Sequence, residues 1–216
     1  MKLLVLDGAL ARCSAAAFVD GVLVAEEVAE GARRQPVDLP PMAQRVARAL
    51  AGLDAVAVVV GPGGFTGLRA AIALAEGLAL GAGARLVGVT TGEALAAALP
   101  EELRAGRAVW SVVDTRRGRL VLERLAPGAW QAEAPPEPMA VEDLPLPEGP
   151  VAMVGDAAEA AAEALLARGA DALLTEARLP LAAAAGRVAL ERLAGHIPMR
   201  DATPLYVEPP AVRRPA

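Results

Sequence analysis

The stretch Ala55-Val56-Ala57-Val58-Val59-Val60-Gly61-Pro62-Gly63-Gly64-Phe65-Thr66-Gly67-Leu68-Arg69 decides how this 216-residue chain is read. Asp54–Val60 is an unbroken apolar run after its first residue, as in a strand buried on both faces. A glycine-rich loop follows, and Thr66–Leu80 then reads as a helix. Strand, loop and helix in that order form an α/β unit. Glycines in such a loop can cradle a phosphate, because backbone N–H groups and the positive helix end face the anion. This loop fits neither of two known phosphate fingerprints. A Walker loop needs a Gly-Lys-Ser/Thr ending, and there is no lysine here. The dinucleotide pattern needs glycine where Thr66 stands. Pro62 also has no N–H to offer. Close backbone packing and phosphate binding are both open readings, with packing the simpler, and Thr66 is a candidate helix cap.

The helix is the more informative half of the unit. Between Thr66 and Leu80 its only charged residues are Arg69 and Glu76, which share one narrow strip. The remainder, after Thr66, is Leu, Ile, Ala and Gly. A helix with one side on a sheet and the other in water should be polar over half its girth. This one must be covered on more than one side, by a helix of the same chain or by a second subunit. Met42–Leu50 reads as a helix with Met42, Val46 and Leu50 on one stripe, and can cover one side.

Outward from the unit, Lys2–Asp7 reads as a buried strand ending in a carboxylate. Ser14–Val19 and Val22–Glu26 are strands joined by Asp20-Gly21, a strong two-residue hairpin signal. Gly31–Leu39 is expected to be a Pro-containing loop, Arg85–Val89 a strand and Thr91–Leu99 a helix. After Pro100 the plan restarts. Ala108–Asp114 ends in a carboxylate, turns at Thr115–Gly118 and returns as Arg119–Leu125, much as Lys2–Asp7 turns and returns. This recurrence predicts an internal duplication. Ala126–Pro150 is a Pro-rich loop with short extended pieces, Val151–Val154 a short strand, Ala157–Ala167 and Pro180–Ala194 helices, and Thr203–Pro215 an extended tail. The prediction is an α/β chain of the actin-like ATPase (ribonuclease H-like) fold with two duplicated subdomains, the second degraded. The first spans residues 1–100 and carries the apolar helices; the smaller second spans 101–216.

Composition excludes several functions. The formal net charge is −5, without the basic field of a protein that binds nucleic acid alone. Arg116-Arg117-Gly118-Arg119 and Arg213-Arg214 are short patches that a solvated turn and a tail explain. Single Cys13 and single His196 leave no disulfide framework and no His-rich metal site. No signal segment and no stretch of about 18 uncharged apolar residues is present, so the chain is read as a cytoplasmic protein without a membrane partner. Asp7 could ligate a metal ion near a phosphate. Its turn, Gly8-Ala9-Leu10-Ala11, has no hydroxyl, and side-chain bonding to the turn backbone explains Asp7 and Asp114 more simply. No paired-carboxylate or nucleophile–histidine constellation stands out, which points away from catalysis in this chain.

Several segments together resemble the TsaB (YeaZ) family of tRNA threonylcarbamoyladenosine biosynthesis subunits. They are Lys2-Leu3-Leu4-Val5-Leu6-Asp7, Gly61-Pro62-Gly63-Gly64-Phe65-Thr66-Gly67-Leu68-Arg69, Gly77-Leu78-Ala79-Leu80, Leu86-Val87-Gly88-Val89-Thr90-Thr91 and Asp114-Thr115-Arg116-Arg117-Gly118. The closing Pro204-Leu205-Tyr206-Val207 is similar to that family's tail. The resemblance implies an actin-like fold that has lost catalysis. It implies a scaffold for the paralogue TsaD, which transfers a threonylcarbamoyl group to adenosine 37 of tRNAs reading ANN codons, with the ATPase TsaE completing the machinery. It places no cofactor in this chain alone, ATP/ADP and a metal in the partner subunits, and tRNA in contact only through the complex. It also places pairing on two helices, here Met42–Leu50 and Thr66–Leu80, with a homodimer as an alternative use of the same surface. The partner-binding residues it implies are Met42, Val46, Leu50, Phe65, Leu68, Arg69, Ala71, Leu74 and Leu78, with Asp7 a weak nucleotide candidate. Gly64 where serine is commoner, and the hydroxyl-free turn after Asp7, weaken the nucleotide reading. The competing function is a stand-alone ATPase or glycopeptidase-like hydrolase of the same superfamily.

Overall fold

The computed structural model describes residues 1–31 and 34–207. Strands β1 (Lys2–Asp7), β2 (Arg12–Val19) and β3 (Val22–Glu30) form the expected antiparallel meander. Asp20 and Gly21 take φ of 49° and 83°, the positive-φ pair whose twist suits a two-residue hairpin. Helix α1 (Gln35–Ala47) leads to β4 (Ala55–Val59); the glycine loop, α2 (Phe65–Ala82) and β5 (Arg85–Val89) follow. β4 runs parallel to β1 and β5 parallel to β4, giving the order β3-β2-β1-β4-β5.

After α3 (Thr91–Ala97) and α4 (Glu101–Gly106) the plan repeats. β6 (Ala108–Asp114), β7 (Leu120–Leu125) and β8 (Glu137–Met139) form a second meander, and β9 (Val151–Val154), α5 (Ala158–Ala167) and β10 (Ala172–Leu174) complete it. The second sheet, β10-β9-β6-β7-β8, has the order and strand directions of the first. Its outer strands hold three residues each, against nine and five in β3 and β5, so the second copy has shrunk at both edges. This is the duplicated, half-degraded plan that the strand–Asp–turn–strand recurrence predicts.

The strands of the first sheet are apolar without alternation because both faces are covered. Leu4, Leu6, Val56 and Val58 pack with Leu39, Met42 and Val46 of α1 and Ala71, Ile72 and Ala75 of α2. Leu3, Val5, Ala57 and Val59 pack on the opposite face with Ala185, Val188 and Ala189 of α6 (Ala182–Leu193). The tail returns to the same sheet: Gly88 N donates to the Arg200 carbonyl at 2.9 Å and Leu205 N to the Val60 carbonyl at 2.8 Å. Helix α6 and the tail, both beyond residue 101, therefore close the first sheet.

Two expectations need correction. The loop expected over Gly31–Leu39 is helical from Gln35, and the helix ends at Ala47, with Pro40 and Pro41 inside it. Pro36 lies in the first turn, where an N–H has no helical acceptor. Gln35 Nε2 donates to the Leu10 carbonyl at 2.7 Å and Leu39 is fully buried, so tertiary anchors hold a helix that proline propensity opposes. Leu50 falls beyond this helix. Helix α4 and strand β10 were not foreseen; each is too short for periodicity to register. Most of the expected Thr203–Pro215 tail, from residue 208 on, lies outside the described residues, as do Arg213 and Arg214.

A buried polar cluster ties the two sheets together. Thr90 and Glu93 close a capping box at the start of α3. Arg192 Nη2 donates to both Glu93 oxygens at 2.6 and 2.7 Å, its Nε to the Gly88 carbonyl at 3.1 Å and its Nη1 to the Pro198 carbonyl at 2.8 Å. Glu123 of β7 reaches across to accept from Gly92 N at 3.0 Å. Burial, reinforced by the neighbouring Glu93 charge, pushes the Glu123 carboxyl up to about 8.

Candidate functional site

The first candidate is the junction of the β1–β2 turn with the glycine loop. Asp7 is fully buried; its Oδ1 accepts from Ala9 N at 3.0 Å, while Oδ2 has no partner among the described residues. Burial raises its carboxyl to about 7, against the opposing pull of the Ala9 hydrogen bond and the Arg12 charge. The loop closes directly on this turn. Gly64 N donates to the Ala9 carbonyl at 2.7 Å, Thr91 N to the Gly61 carbonyl at 2.8 Å and Thr91 Oγ1 to the Pro62 carbonyl at 2.7 Å. A Cβ on Gly63 would strike the Ala9 carbonyl, and one on Gly67 the Gly8 carbonyl, each closer than 3.0 Å. Gly61, at φ 111°, occupies the left-handed region that side chains disfavour.

A bound phosphate would need free N–H groups and room between turn and loop. Here the Ala9 and Gly64 N–H groups are engaged, and backbone fills the gap. Among the described residues no three His, Cys, Asp or Glu side chains cluster to hold a metal ion. These residues do not fit a nucleotide phosphate and its metal. Of the two readings of the loop, close packing is the one its geometry carries. Thr66 does not cap α2: Gly64 is the N-cap, without a side-chain cap bond, and Thr66 lies exposed in the first turn.

The second candidate is the outer face of α2. By length and composition alone this helix could cross a membrane, but it packs on β4 and α1 and buries Gly67, Leu68, Ala71, Ile72, Ala75 and Ala79 within the chain. Its opposite side exposes Phe65, Arg69, Ala73, Glu76, Gly77 and Leu80, which share one strip through spacings of three and four residues such as 69/73, 73/77 and 76/80. Leu80 is 86% exposed and Phe65 53%.

Geometry divides the expected partner-binding residues. Met42, Val46, Leu68 and Ala71 are buried inside the chain and hold the helices to the sheet, so they are corrected from surface to core. Leu50, Leu74 and Leu78 are half-buried at the margin of the same core. Phe65 and Arg69 are exposed. Ala73, Gly77 and Leu80 were missed. The charged pair was the available signal, because Arg69 and Glu76 mark the solvent strip and these three fall on it.

At its N-terminal end the strip carries a cluster that no local pattern predicts. Phe65 and Tyr206 stack with ring centroids 5.7 Å apart. The Arg69 guanidinium lies 3.9 Å from the Phe65 centroid and 5.6 Å from that of Tyr206, and its Nε donates to Tyr206 Oη at 2.7 Å. The tail thus reaches the helix through one aromatic side chain.

Residues 36–164, more than half of the chain, match the family model for TsaD, tRNA N6-adenosine threonylcarbamoyltransferase. The chain belongs to the TsaD family. The TsaB (YeaZ) resemblance stands within it. The chain is 33% identical over 141 residues to the tRNA threonylcarbamoyladenosine biosynthesis protein TsaB of Escherichia coli (strain K12). That match covers 62% of this chain and 60% of TsaB, so it spans less than two thirds of the curated relative. Two solved structures from Pseudomonas aeruginosa, YeaZ and a protein described as similar to peptidase YEAZ, each superpose with a TM-score of 0.81 at 24% identity. They cover 95% and 96% of this chain and 99% of their own chains. The ethanolamine utilization protein EutJ from Carboxydothermus hydrogenoformans matches with a TM-score of 0.50 at 16% identity, over 88% of this chain and 89% of its own. The TsaD-family chain has the actin-like ATPase fold, in accord with its duplicated sheets.

Proposed function

We propose that this chain is the scaffold subunit of a threonylcarbamoyl transferase assembly in the cytoplasm. It docks a TsaD-type catalytic partner on the outer face of α2. It supports that partner in placing threonylcarbamoyl on adenosine 37 of tRNAs reading ANN codons. The observation that carries this reading is the outer strip of α2, where Phe65, Ala73, Gly77 and Leu80 stay exposed while Leu68, Ala71, Ile72, Ala75 and Ala79 are buried on the opposite side. An apolar strip rimmed by few charges is the usual mark of a docking surface. The closed glycine loop supports a supporting rather than a catalytic role, with ATP/ADP and metal chemistry left to TsaD and the ATPase TsaE. The net charge of −5 supports tRNA meeting this chain only through the complex. A homodimer is an alternative use of the same strip.

The test is reconstitution. Adding the chain to TsaD, TsaE and threonylcarbamoyl-AMP should restore tRNA modification, and Leu80→Glu should abolish both that stimulation and co-elution with TsaD. Co-elution and stimulation unchanged by Leu80→Glu would remove α2 as the docking face. No stimulation by the unaltered chain would remove the scaffold role.

A further inference from the structure

The cluster at the start of α2 is built like a receptor for one charged group. Arg69 is exposed, yet its guanidinium lies over Phe65, whose ring stacks with Tyr206, and is tied by the 2.7 Å bond from Nε to Tyr206 Oη. Fixing a long side chain in this way removes rotamer freedom that binding would otherwise have to remove. The two terminal NH2 groups meet no carboxylate among the described residues. Glu76, the other charged residue of the strip, lies seven residues along, about 10 Å away on a helix. Phe65 and Tyr206, 53% and 49% exposed, set apolar surface beside the guanidinium that a docked partner would dry.

We infer that the Arg69 fork, set beside the stacked Phe65 and Tyr206 rings, receives a carboxylate from the docked TsaD-type partner, and that the C-terminal tail assembles this receptor through Tyr206. The inference rests on the docking reading of α2 given above. A guanidinium offers a planar, bidentate match to a carboxylate that an ammonium cannot reproduce. The chain's own net charge of −5 gives an approaching carboxylate no long-range attraction, so the fork itself sets the register. Tyr206 is a positioning residue. Its hydroxyl accepts from Nε and so leaves the two terminal groups to a ligand, and its backbone is brought there by the Leu205 bond to the Val60 carbonyl. The tail, remote in sequence from α2, is thereby part of the docking surface.

The experiment is calorimetric titration of the full chain into the purified TsaD-type partner at low and high salt, with thermal melts of every variant as a control for folding. Arg69→Gln should weaken binding by about thirtyfold or more and flatten its salt dependence. Tyr206→Ala should approach that loss. Tyr206→Phe, which keeps the stack and loses the hydroxyl, should cost roughly two- to tenfold. Arg69→Glu should be rescued by changing one partner carboxylate to arginine. Wild-type affinity and salt slope in Arg69→Gln and Tyr206→Ala, with Leu80→Glu still abolishing binding, would overturn the receptor while leaving docking on α2 intact. A loss confined to self-association of the chain would also overturn it. Wild-type binding by Leu80→Glu as well would bring down the docking reading itself.

Discussion

Two glycines of α2 should respond in opposite ways to one substitution. Gly77 faces open space, with no atom within 4 Å of an added Cβ. Gly77→Ala should therefore gain most of the helix propensity difference, up to about 1 kcal/mol. For a chain of this length that raises Tm by roughly 2 to 4 °C. Gly67→Ala has the same propensity to gain, but its Cβ meets the Gly8 carbonyl closer than 3.0 Å, with Gln35 Cδ at 3.2 Å on another side. The obstacle is backbone, so the turn or the helix must move. Overpacking of this kind costs about 1 to 3 kcal/mol. Displacing the turn also loosens the 2.7 Å bonds Gly64 N to Ala9 O and Gln35 Nε2 to Leu10 O, each worth about 1 kcal/mol. The net loss is about 2 to 4 kcal/mol, a fall in Tm of roughly 5 to 15 °C. Calorimetric melts of both variants at one pH decide the matter. If Gly67→Ala melts at or above the wild-type temperature, the turn and loop are not locked backbone to backbone, and the case against a phosphate cradle loses its footing.

Other outcomes follow from the buried charges and the outer strip. Glu123 has a folded-state carboxyl raised to about 8 from an ordinary value of 4.5, so the folded chain holds a proton that the unfolded chain releases. Its contribution is complete below the unfolded value and is lost as pH rises toward 8; Asp7, raised to about 7, acts in the same direction. Tm should thus decline from pH 5 to pH 8.5, with a shallower decline in Glu123→Gln; an equal slope in that variant would clear Glu123 of the effect. Arg192→Ala leaves the Glu93 carboxylate buried without its ion partner and should destabilise the chain by about 3 to 5 kcal/mol in urea titrations. Leu80→Glu, at a position 86% exposed, should leave Tm within about 2 °C of wild type while it abolishes co-elution with TsaD.

The fold was legible where burial is two-sided. Lys2–Asp7, Arg85–Val89, Ala108–Asp114 and Val151–Val154 are short apolar runs bounded by turns or charges, and their observed bounds equal or nearly equal the expected ones. Asp20-Gly21 announced its hairpin because few residue pairs take positive φ twice in succession. The duplication was visible in the two strands ending at Asp7 and Asp114. What escaped was whatever tertiary contact decides. Pro40 and Pro41 argue against a helix until Leu39 and Gln35 are seen to be anchored. Ala172–Leu174 is a strand only because β9 lies beside it. In α2 the near absence of polar residues removed the contrast that separates an inner face from an outer one. Leu68 and Ala71 therefore read as surface, and Leu80 was passed over. Tyr206 lies 137 residues from Arg69, beyond the reach of any local pattern.

The glycine loop links both candidate sites. The glycines that suggest a phosphate cradle are those that let the loop press on the β1–β2 turn and close it. Once closed, the turn holds the start of α2 by backbone contacts at Gly8, Ala9, Gly63, Gly64 and Gly67, which have no rotamers to change. The rotation of α2 about its own axis is then set by main chain, and with it the direction in which Phe65, Arg69, Ala73, Gly77 and Leu80 point. A helix almost uniformly apolar cannot set its own rotation by hydrophobic contrast, since turning it would exchange one apolar face for another. The locked loop supplies what the side chains lack. If the strip docks a partner as proposed, a surface already held in one orientation loses little conformational entropy on binding. In this chain, the packing of the glycine loop on the β1–β2 turn and the outward presentation of this α2 face are one structural feature.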